Sequence, residues 1–159
     1  MGERSFADIR REAIRITIVA YFDGLCEGNP GGIATFGCSI YRNGTRVYEG
    51  AGLAAYGPAA SNNVGEYSGV LAILRWLLDN QLAAEDIEIR GDSRLVVNQL
   101  AGKWKVHGGL YYEKYSECKT LLKRFATVKF VWVPREQNRE ADALSRKAYR
   151  AYMATRKEQ

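Results

Sequence analysis

The sequence predicts an α/β domain built on a mixed β-sheet. An alternating apolar run that begins at Ile14 leads to Asp23, and the dipeptide Asn43-Gly44 separates two further alternating segments. These features predict three antiparallel strands, because Asn-Gly is the strongest short hairpin signal. The second half of the chain alternates helix-like and strand-like segments. Since a strand that follows a helix usually pairs in parallel through a right-handed crossover, parallel strands are expected there.

Length and composition favour one cytoplasmic domain. At 159 residues, of which 47% are hydrophobic, the chain is long enough to bury a core without cross-links. It has no apolar run of the roughly 20 residues that a membrane span needs. Residues 1–13 form a charged N-terminal extension that lacks the apolar centre of a signal peptide. We therefore expect residues 14–159 to form a single domain with a cytoplasmic location and no membrane partner.

The cysteines and the net charge give weaker indications. Cys26, Cys38 and Cys118 are odd in number and match no zinc pattern, which favours reduced thiols. A disulfide between Cys26 and Cys38 inside the first hairpin is the alternative. The net charge of +5 suits a polyanionic partner such as nucleic acid, although many ordinary proteins share this balance.

The first strand leads into a carboxylate. Its apolar residues alternate with the period of a strand, and the stretch from Ile18 to Phe22 is apolar on both faces, as in a central strand. We expect this strand to end at Asp23, where a carboxylate leaving a buried strand is costly unless cations or several donors meet it. The glycine-rich turn at residues 25–32 fits either a backbone that a ligand approaches or a long hairpin loop.

Glu66 and Asp92 each allow a functional and a structural interpretation. A helix is predicted from about residue 64 to residue 79, and Glu66 lies on the side of its apolar stripe. Glu66 could instead form a capping box with Asn63. Asp92 follows a short strand at residues 87–91, at the carboxyl edge where open α/β sheets place their ligands. Alternatively, Asp92 caps the helix that comes after it.

The remaining segments complete the alternation. A loop at residues 102–109 leads to a helix whose apolar residues face the core, and a fifth strand is predicted at residues 128–133. A polar loop then precedes a final helix over about residues 139–155. Asp142 lies in the first turn of this helix, where the helix dipole would stabilise any acidic residue.

Four carboxylates thus fall at comparable places in the predicted fold. Asp23 and Asp92 follow strands, whereas Glu66 and Asp142 lie in the first turns of helices. If the helices pack on the sheet, the four side chains can converge on one cleft. Clustered carboxylates raise each other's pKa unless divalent cations neutralise them. Oxygen ligands without His or Cys favour Mg²⁺ or Mn²⁺ over zinc, so the sequence predicts a site for one of these cations.

Five short motifs occur in order between residues 16 and 149. They are Tyr21-Phe22-Asp23-Gly24, Gly28-Asn29-Pro30-Gly31, Ser61-Asn62-Asn63-x-x-Glu66, Gly91-Asp92-Ser93 and Asn138-Arg139-Glu140-Ala141-Asp142. Together they resemble the successive signatures of ribonuclease H type 1. The resemblance implies a ribonuclease H-like fold, with a five-stranded mixed sheet of three antiparallel and two parallel strands flanked by helices. It also implies endonucleolytic cleavage of the RNA strand of an RNA/DNA hybrid, leaving 5′-phosphate and 3′-hydroxyl ends.

The same resemblance assigns roles to individual residues. The family's four catalytic acids, which hold two divalent cations, match Asp23, Glu66, Asp92 and Asp142. The positions that match substrate contacts are Gly24, Asn29, Ser61, Asn62, Asn63, Arg94 and Trp104. Amides at such positions can bond 2′-hydroxyls in the minor groove, which is how a protein distinguishes RNA from DNA. Ser61 matches a phosphate contact and Trp104 an aromatic position near the DNA strand, although Trp104 could equally belong to the core.

Two features depart from many members of the family. A short loop holding only Lys103, Lys105 and His107 replaces the basic helical protrusion, which predicts weaker and more salt-sensitive binding. The loop before the last acid lacks the family's histidine, and the candidates to assist in its place are Arg135, Glu136 and Asn138. This pattern resembles the archaeal group and its bacterial relatives, some of which also cut double-stranded RNA.

Two other functions fit a chain of this kind. One is a non-catalytic protein that binds RNA/DNA hybrids or double-stranded RNA, and the intact set of four acids argues against it. The other is a transposase or resolvase relative, which is disfavoured because Asn29, Asn62 and Asn63 match RNA-reading positions. We expect a monomer, because no apolar helix face is left unused.

Overall fold

The computed structural model of the chain describes residues 17–28 and 31–157, together with residues 2, 3 and 5. Three expectations from the sequence therefore lie wholly or largely outside the described residues. They are the N-terminal extension at residues 1–13, the beginning of the predicted first strand at residues 14–16, and Asn29 in the glycine-rich turn.

Five strands form one mixed sheet in the spatial order β3-β2-β1-β4-β5. They are β1 (Thr17–Glu27), β2 (Ile33–Arg42), β3 (Thr45–Tyr56), β4 (Asp86–Gly91) and β5 (Thr127–Trp132). β2 runs antiparallel to both β1 and β3, whereas β4 runs parallel to both β1 and β5. The predicted combination of three antiparallel and two parallel strands is confirmed.

The predicted hairpin turn joins β2 to β3. Asn43 and Gly44 have φ values of 51° and 80°. Positive φ at both central positions gives the turn the twist of the strands that it connects, and Asn-Gly tolerates this conformation better than other dipeptides. The local sequence therefore fixes the register next to the turn, where Arg42 pairs with Thr45 and Tyr41 with Arg46.

The described residues form four α-helices, and these cover both faces of the sheet. They are α1 (Asn62–Asp79), α2 (Arg94–Leu100), α3 (Tyr112–Leu122) and α4 (Arg139–Lys157). α1 packs on β1, β2 and β3 and also contacts α3, while α2 packs on β4 and β5. α4 packs on the same three strands as α1 but on the opposite face of the sheet. In β2, Cys38 and Ile40 belong to the core beneath α1, whereas the Thr35 hydroxyl donates a hydrogen bond to the carbonyl oxygen of Ser145 in α4. The alternation of side chains along β2 thus serves two different helices.

The main core lies between α1 and the sheet. Its fully buried residues include Ile18, Ala20, Phe22, Tyr67, Leu74 and Ile89. On the outer side, α3 closes the core with the buried Cys118 and with Tyr115 and Leu122, and Tyr111 and Phe125 pack on the core from just before and just after the helix. No helix among the described residues is long and apolar enough to cross a membrane.

The three cysteines are free thiols and all are buried. Cys26 pairs with Ala34 in the β1–β2 ladder, and Cys38 pairs with Phe22. The two residues therefore lie at different levels of the hairpin, and the alternative of a disulfide between them is wrong.

β1 does not end at Asp23 as predicted but continues to Glu27. The reason is that β2 pairs with β1 along this whole length, with Asp23 opposite Gly37 and Glu27 opposite Ile33. The parallel neighbour β4 accompanies β1 only as far as the pair Phe22–Gly91. From Asp23 onward, β1 is no longer paired with β4, and the carboxylate of Asp23 faces the gap beyond the end of β4.

Two glycines let the helices that carry acidic residues approach the sheet closely. A Cβ atom at Gly24 would lie 2.1 Å from the backbone nitrogen of Glu66 in α1. A Cβ atom at Gly37 would lie 2.3 Å from the carbonyl oxygen of Ala141 in α4. Real Cβ atoms do not approach backbone atoms so closely, so any other residue at either position would push the helix away from the strand.

Replacing Gly37 with alanine should destabilise the fold by about 1–3 kcal/mol, because the added methyl group meets the backbone of α4 and cannot be accommodated by a side-chain rotation. Urea unfolding measures this change in the free energy of unfolding. Gly52→Ala is the matched control in β3: its Cβ would first meet the ring of Phe36 at 3.3 Å, an ordinary contact once that ring adjusts. Equal stability of the two variants would mean that α4 does not depend on close contact at Gly37.

Candidate active site

Three of the predicted acids form a compact cluster where β1 and β4 part. Asp23, Glu66 and Asp92 each present a carboxylate oxygen, and the three oxygens lie within 4.8 Å of one another. The register of the parallel strands explains two of the positions, because Phe22 is paired with Gly91 and the next residues are Asp23 and Asp92. Glu66 comes from the first turns of α1, which Gly24 allows to lie directly on β1.

The capping-box interpretation of Glu66 is wrong. α1 begins two residues earlier than that interpretation requires, with Ser61 rather than Asn63 as the N-cap, and the Ser61 hydroxyl accepts a hydrogen bond from the backbone N–H of Val64 at 3.2 Å. Asn63 is already part of the helix. The Oε2 atom of Glu66 is buried and has no hydrogen-bond partner, so this carboxylate is not used to stabilise the start of its own helix.

The capping interpretation of Asp92 is also wrong. The N-cap of α2 is Ser93, whose hydroxyl accepts from the backbone N–H of Val96 at 3.3 Å. The backbone of Asp92 is held from the other side, since its carbonyl oxygen accepts a hydrogen bond from the indole nitrogen of Trp132 at 3.2 Å. The Asp92 carboxylate is therefore left to face Asp23 and Glu66.

Asp142 lies at the margin of the cluster. Its carboxyl group lies near Asp23 and contributes to the raised pKa of that residue. Both Asp142 carboxylate oxygens also accept from the Nε of Arg146, at 3.2 Å each, one turn along α4. Asp142 therefore lines the same cleft as the other three acids, and in this structure the Arg146 guanidinium supplies its positive partner.

Burial and mutual repulsion disturb the acidity of the cluster. The pKa of Asp23 rises from 3.8 to about 8, mainly through loss of solvation and in smaller part through the neighbouring Asp92 and Asp142. Burial also raises the pKa of Glu66 well above its ordinary value, with further contributions from the charges of Asp23 and Asp92. The side chains are only 6% (Asp23) and 8% (Glu66) exposed, so solvent does little to relieve the repulsion.

The cluster fits a divalent cation. It supplies hard oxygen ligands without any nitrogen or sulfur, and the unpartnered Oε2 of Glu66 lacks a positive or donating neighbour. A cation among these oxygens would neutralise the repulsion between the carboxylates and would give Oε2 of Glu66 the partner that it lacks. The donor set favours Mg²⁺ or Mn²⁺ over zinc.

The cleft around the acids has a volume of about 600 Å³. Its lining residues are Asp23, Gly24, Leu25, Cys26, Asn62, Glu66, Asp92, Trp132, Arg135, Asp142 and Arg146. The sequence-predicted residues Gly24, Asn62 and Arg135 are thus brought to the acids. Glu136 lines a different cavity, and Asn29 lies outside the described residues.

The other candidates occupy supporting positions. Arg94 stacks its guanidinium 3.9 Å from the centre of the Trp132 ring. Asn138 is buried and donates from its Nδ2 to the carbonyl oxygen of Phe22 at 2.8 Å, which ties the loop before α4 to the residue before Asp23. Trp104 is 48% exposed, so the alternative that it belongs to the core is wrong. The segment between α2 and α3 is a loop without a helical protrusion, as predicted.

Sequence reasoning missed Trp132 and Arg146. Arg146 could have been found, because it lies four residues after Asp142 and a residue at that spacing shares a helix face with it. Trp132 gave no local signal. It reaches the site only because β5 pairs with β4, which places it opposite Gly91.

Comparisons with known proteins agree with this architecture. The family model described as reverse transcriptase-like matches residues 21–148. Ribonuclease HI of Halobacterium salinarum is 37% identical over 129 residues, which cover 81% of this chain and 62% of that protein. The chain therefore spans about three fifths of the length of this relative.

Two solved structures are similar over nearly their whole length. Ribonuclease H1 from Halobacterium salinarum NRC-1 superposes with a TM-score of 0.75 at 36% identity, covering 85% of this chain and 98% of that chain. LC11 ribonuclease H1, crystallised in complex with an RNA/DNA hybrid, gives a TM-score of 0.76 at 31% identity, covering 86% of this chain and 99% of that chain. With identity above 30% and structural similarity over nearly the whole length of both solved chains, the chain belongs to the ribonuclease H type 1 family.

Proposed function

We propose that this chain is an endonuclease that hydrolyses the RNA strand of RNA/DNA hybrids and leaves 5′-phosphate and 3′-hydroxyl ends. The observation that carries the proposal is the convergence of Asp23, Glu66 and Asp92 on one point, in a cleft that Asp142 also lines. Membership of the ribonuclease H family and the likeness to LC11 ribonuclease H1, which was crystallised with a hybrid, support the choice of substrate.

The metal ligands in this proposal are Asp23, Glu66, Asp92 and Asp142, and the cofactor is a pair of Mg²⁺ or Mn²⁺ ions. When bound, such a pair supplies an activated water and stabilises the charge that develops on the leaving oxygen. The protein's part is to hold four carboxylates in place before the cations arrive. Trp132 holds Asp92 by donating a hydrogen bond to its carbonyl oxygen, and Asn138 holds the strand that carries Asp23 by donating to the carbonyl oxygen of Phe22.

Cationic side chains near the acids suit a phosphodiester substrate. Arg135 and Arg146 line the cleft, and guanidinium groups bind phosphate oxygens through paired N–H donors. We propose that, when cations occupy the acids, the Arg146 guanidinium leaves Asp142 and contacts the substrate backbone or solvent instead. Arg135 takes the place of the family's loop histidine, because Glu136 faces another cavity.

The remaining substrate contacts follow the surface near the cleft. Asn62 lies in the cleft and Asn63 one residue further along α1, where an amide can donate to a 2′-hydroxyl. The Ser61 hydroxyl accepts from the helix backbone, which leaves its own O–H able to donate to a phosphate. The exposed ring of Trp104 is available for contact with the DNA strand, and Gly24, Asn29 and Arg94 complete the proposed contact set.

Several finer features belong to the same proposal. They are a count of two cations, the action on double-stranded RNA as a second substrate, a monomeric state, a single domain over residues 14–159 and a cytoplasmic location. The loop at residues 102–109, with Lys103 and Lys105 as its basic residues, supports weaker and more salt-sensitive hybrid binding than in members that carry a protrusion.

Asp92→Asn should reduce hybrid cleavage by at least about a hundredfold, since even residues that only support metal ligands contribute 10–100-fold. The assay incubates matched RNA/DNA hybrid, double-stranded RNA and double-stranded DNA with Mg²⁺ or Mn²⁺. Hybrid binding, measured in the same buffers by fluorescence anisotropy, should survive the substitution. Asp79→Asn is the matched control, because Asp79 is exposed at the end of α1.

The same assay separates the three functions that fit the fold. Binding of the hybrid without cleavage by the wild-type chain would favour the non-catalytic binder. Cleavage of double-stranded DNA would favour the transposase or resolvase relative. Cleavage of the hybrid that Asp92→Asn leaves unchanged would contradict the assignment of the acids.

Without divalent cations, the free energy of unfolding should fall as the pH rises from about 4 to about 8. The raised pKa of Asp23 means that over this range the folded protein keeps a proton that the unfolded chain has released. Because the state that binds more protons is favoured at low pH, folding loses stability as the pH rises. Urea unfolding in EDTA across this range measures the slope. Asp23→Asn or added Mg²⁺ should flatten it, and an identical slope in wild type and Asp23→Asn would contradict the account.

Arg135→Ala should lower kcat for the hybrid by about tenfold, the effect of one hydrogen bond between charged partners. Steady-state kinetics on a labelled hybrid measure kcat and KM separately. Glu136→Ala provides the comparison, and its effect should be smaller because Glu136 points away from the cleft. If Arg135→Ala leaves turnover unchanged, Arg135 does not replace the missing histidine.

A further inference from the structure

The outer side of α4 carries a row of arginines. Arg139, Arg146 and Arg150 are all exposed, and we call them the arginine stripe. In a helix of 3.6 residues per turn, positions 139 and 150 both lie within about 40° of position 146 around the helix axis. The three side chains therefore leave the helix on one side, in a row about 16 Å long.

The packing of α4 on the sheet fixes the direction in which the stripe faces. Ala141 and Ser145 are buried against β2, where the Thr35 hydroxyl donates a hydrogen bond to the carbonyl oxygen of Ser145 at 2.8 Å. Gly37, in the same strand, lets the backbone of Ala141 come close. Because these contacts hold the inner side of α4 on the sheet, the arginine stripe faces solvent.

The positive charge of the stripe is poorly balanced within the protein. Residues 143–157 of α4 include no acidic residue, and Lys147 adds a further exposed positive charge beside the stripe. Among the residues that the structure describes, Arg139 and Arg150 have no ion pair. Arg146 has one, with Asp142 at 3.2 Å. The stripe is therefore available to an anionic partner.

The stability of the helix does not explain the stripe. The helix dipole favours cations only in the last turn of a helix and disfavours them in the first turn. Arg139 is the first residue of α4, and Arg146 and Arg150 lie near its middle. Like charges four residues apart, as at positions 146 and 150, slightly destabilise a helix. A row of this kind indicates a partner of opposite charge.

The stripe is continuous with the catalytic cleft. Arg146 lines the cleft beside Asp142, and so does Arg135, which lies four residues before Arg139. From the cleft, the stripe runs along α4 on the face of the sheet opposite to α1. It therefore lies apart from the substrate contacts proposed at the start of α1.

We propose that the arginine stripe binds the phosphate groups of a nucleic acid duplex where the duplex extends beyond the cleft. Guanidinium groups bind phosphate oxygens through paired N–H donors. A duplex carries one phosphate charge per about 1.7 Å of its axis, so a row of this length can meet several phosphates. The stripe would add to the binding that the short loop with Lys103 and Lys105 provides. The inference rests on the proposed function for the identity of the duplex, an RNA/DNA hybrid.

The test measures hybrid binding by the full chain as a function of salt. Fluorescence anisotropy is recorded in Mg²⁺ between about 50 and 200 mM NaCl, with Asp92→Asn in every chain so that the hybrid is bound without being cut. Adding Arg139→Gln and Arg150→Gln should make the slope of log K against log[NaCl] shallower by about 1.8, because each phosphate contact contributes about 0.9. Two hybrids of unrelated sequence should show the same change, since phosphates carry no sequence information.

Matched variants separate contact with phosphate from a general effect of charge. Lys123→Gln with Arg124→Gln removes the same charge from exposed residues at the end of α3, next to the start of β5 and so at the sheet edge opposite to the acids. This pair should leave the slope unchanged. Arg139→Lys with Arg150→Lys keeps both charges and should keep the slope of the wild-type stripe. Each single Arg→Gln variant should give about half of the full change, and thermal unfolding checks that every variant is folded.

Cleavage kinetics give an independent readout. In chains that retain Asp92, Arg139→Gln with Arg150→Gln should raise KM for the hybrid by about tenfold, the effect of losing hydrogen bonds between charged partners. The value of kcat should stay the same, because the stripe contributes binding that is equal in the ground state and the transition state.

Three results would overturn the proposal. They are a salt slope that the paired Arg→Gln substitutions leave unchanged, an equal loss of slope in the α3 control, and a lower kcat with an unchanged KM. The proposed function would fail in a different way. A chain that shows the expected change of slope but does not cut the hybrid would contradict the nuclease activity alone, and it would support binding by the stripe.

Discussion

Electrostatic repulsion among carboxylates at a poorly solvated point is the constraint around which this fold is arranged. Asp23, Glu66 and Asp92 present oxygens within 4.8 Å of one another, and burial is the largest cause of the raised pKa of both Asp23 and Glu66. Such an arrangement opposes folding unless protons or cations compensate it. A fold that brings these acids together must hold them by interactions that outweigh the repulsion between the carboxylates. It must also leave room for an ion that neutralises them. The Arg146 guanidinium meets this need for Asp142 alone.

The pairing of the strands and the close packing of the helices hold the acids in place. The parallel register of β1 and β4 sets Asp23 and Asp92 side by side, and the loss of β4 beyond Phe22 opens the space into which both point. Because Gly24 has no side chain, α1 packs closely on β1. Gly37 likewise lets α4 pack closely on β2. Each acid is thus fixed by its strand or helix, and small side-chain adjustments cannot relieve the repulsion. This explains how one site can be both strained in its charges and rigid in its shape, which is the property that a preorganised metal site requires.

Much of this arrangement is readable from the sequence, and the failures have definite causes. The hairpin at Asn43-Gly44 and the helix stripe after Ser61 are local signals, and both elements form as predicted. The four acids could be grouped because they follow strands or open helices. By contrast, the continuation of β1 past Asp23 depends on pairing with β2, and the contribution of Trp132 depends on pairing of β5 with β4. The capping alternatives for Glu66 and Asp92 could be decided only by seeing that Ser61 and Ser93 cap the helices instead. Pairing between distant segments leaves no mark in the local sequence.

The proposed chemistry depends on the binding of divalent cations by the acid cluster. Anomalous diffraction from crystals of the full chain soaked in MnCl₂ tests this directly, because manganese scatters anomalously and the protein's lighter atoms contribute little. The account predicts a strong anomalous peak in contact with the carboxylates of Asp23, Glu66 and Asp92, and its loss in crystals of Asp92→Asn. Well-ordered carboxylates without a peak among them, at manganese concentrations that support cleavage in solution, would contradict it.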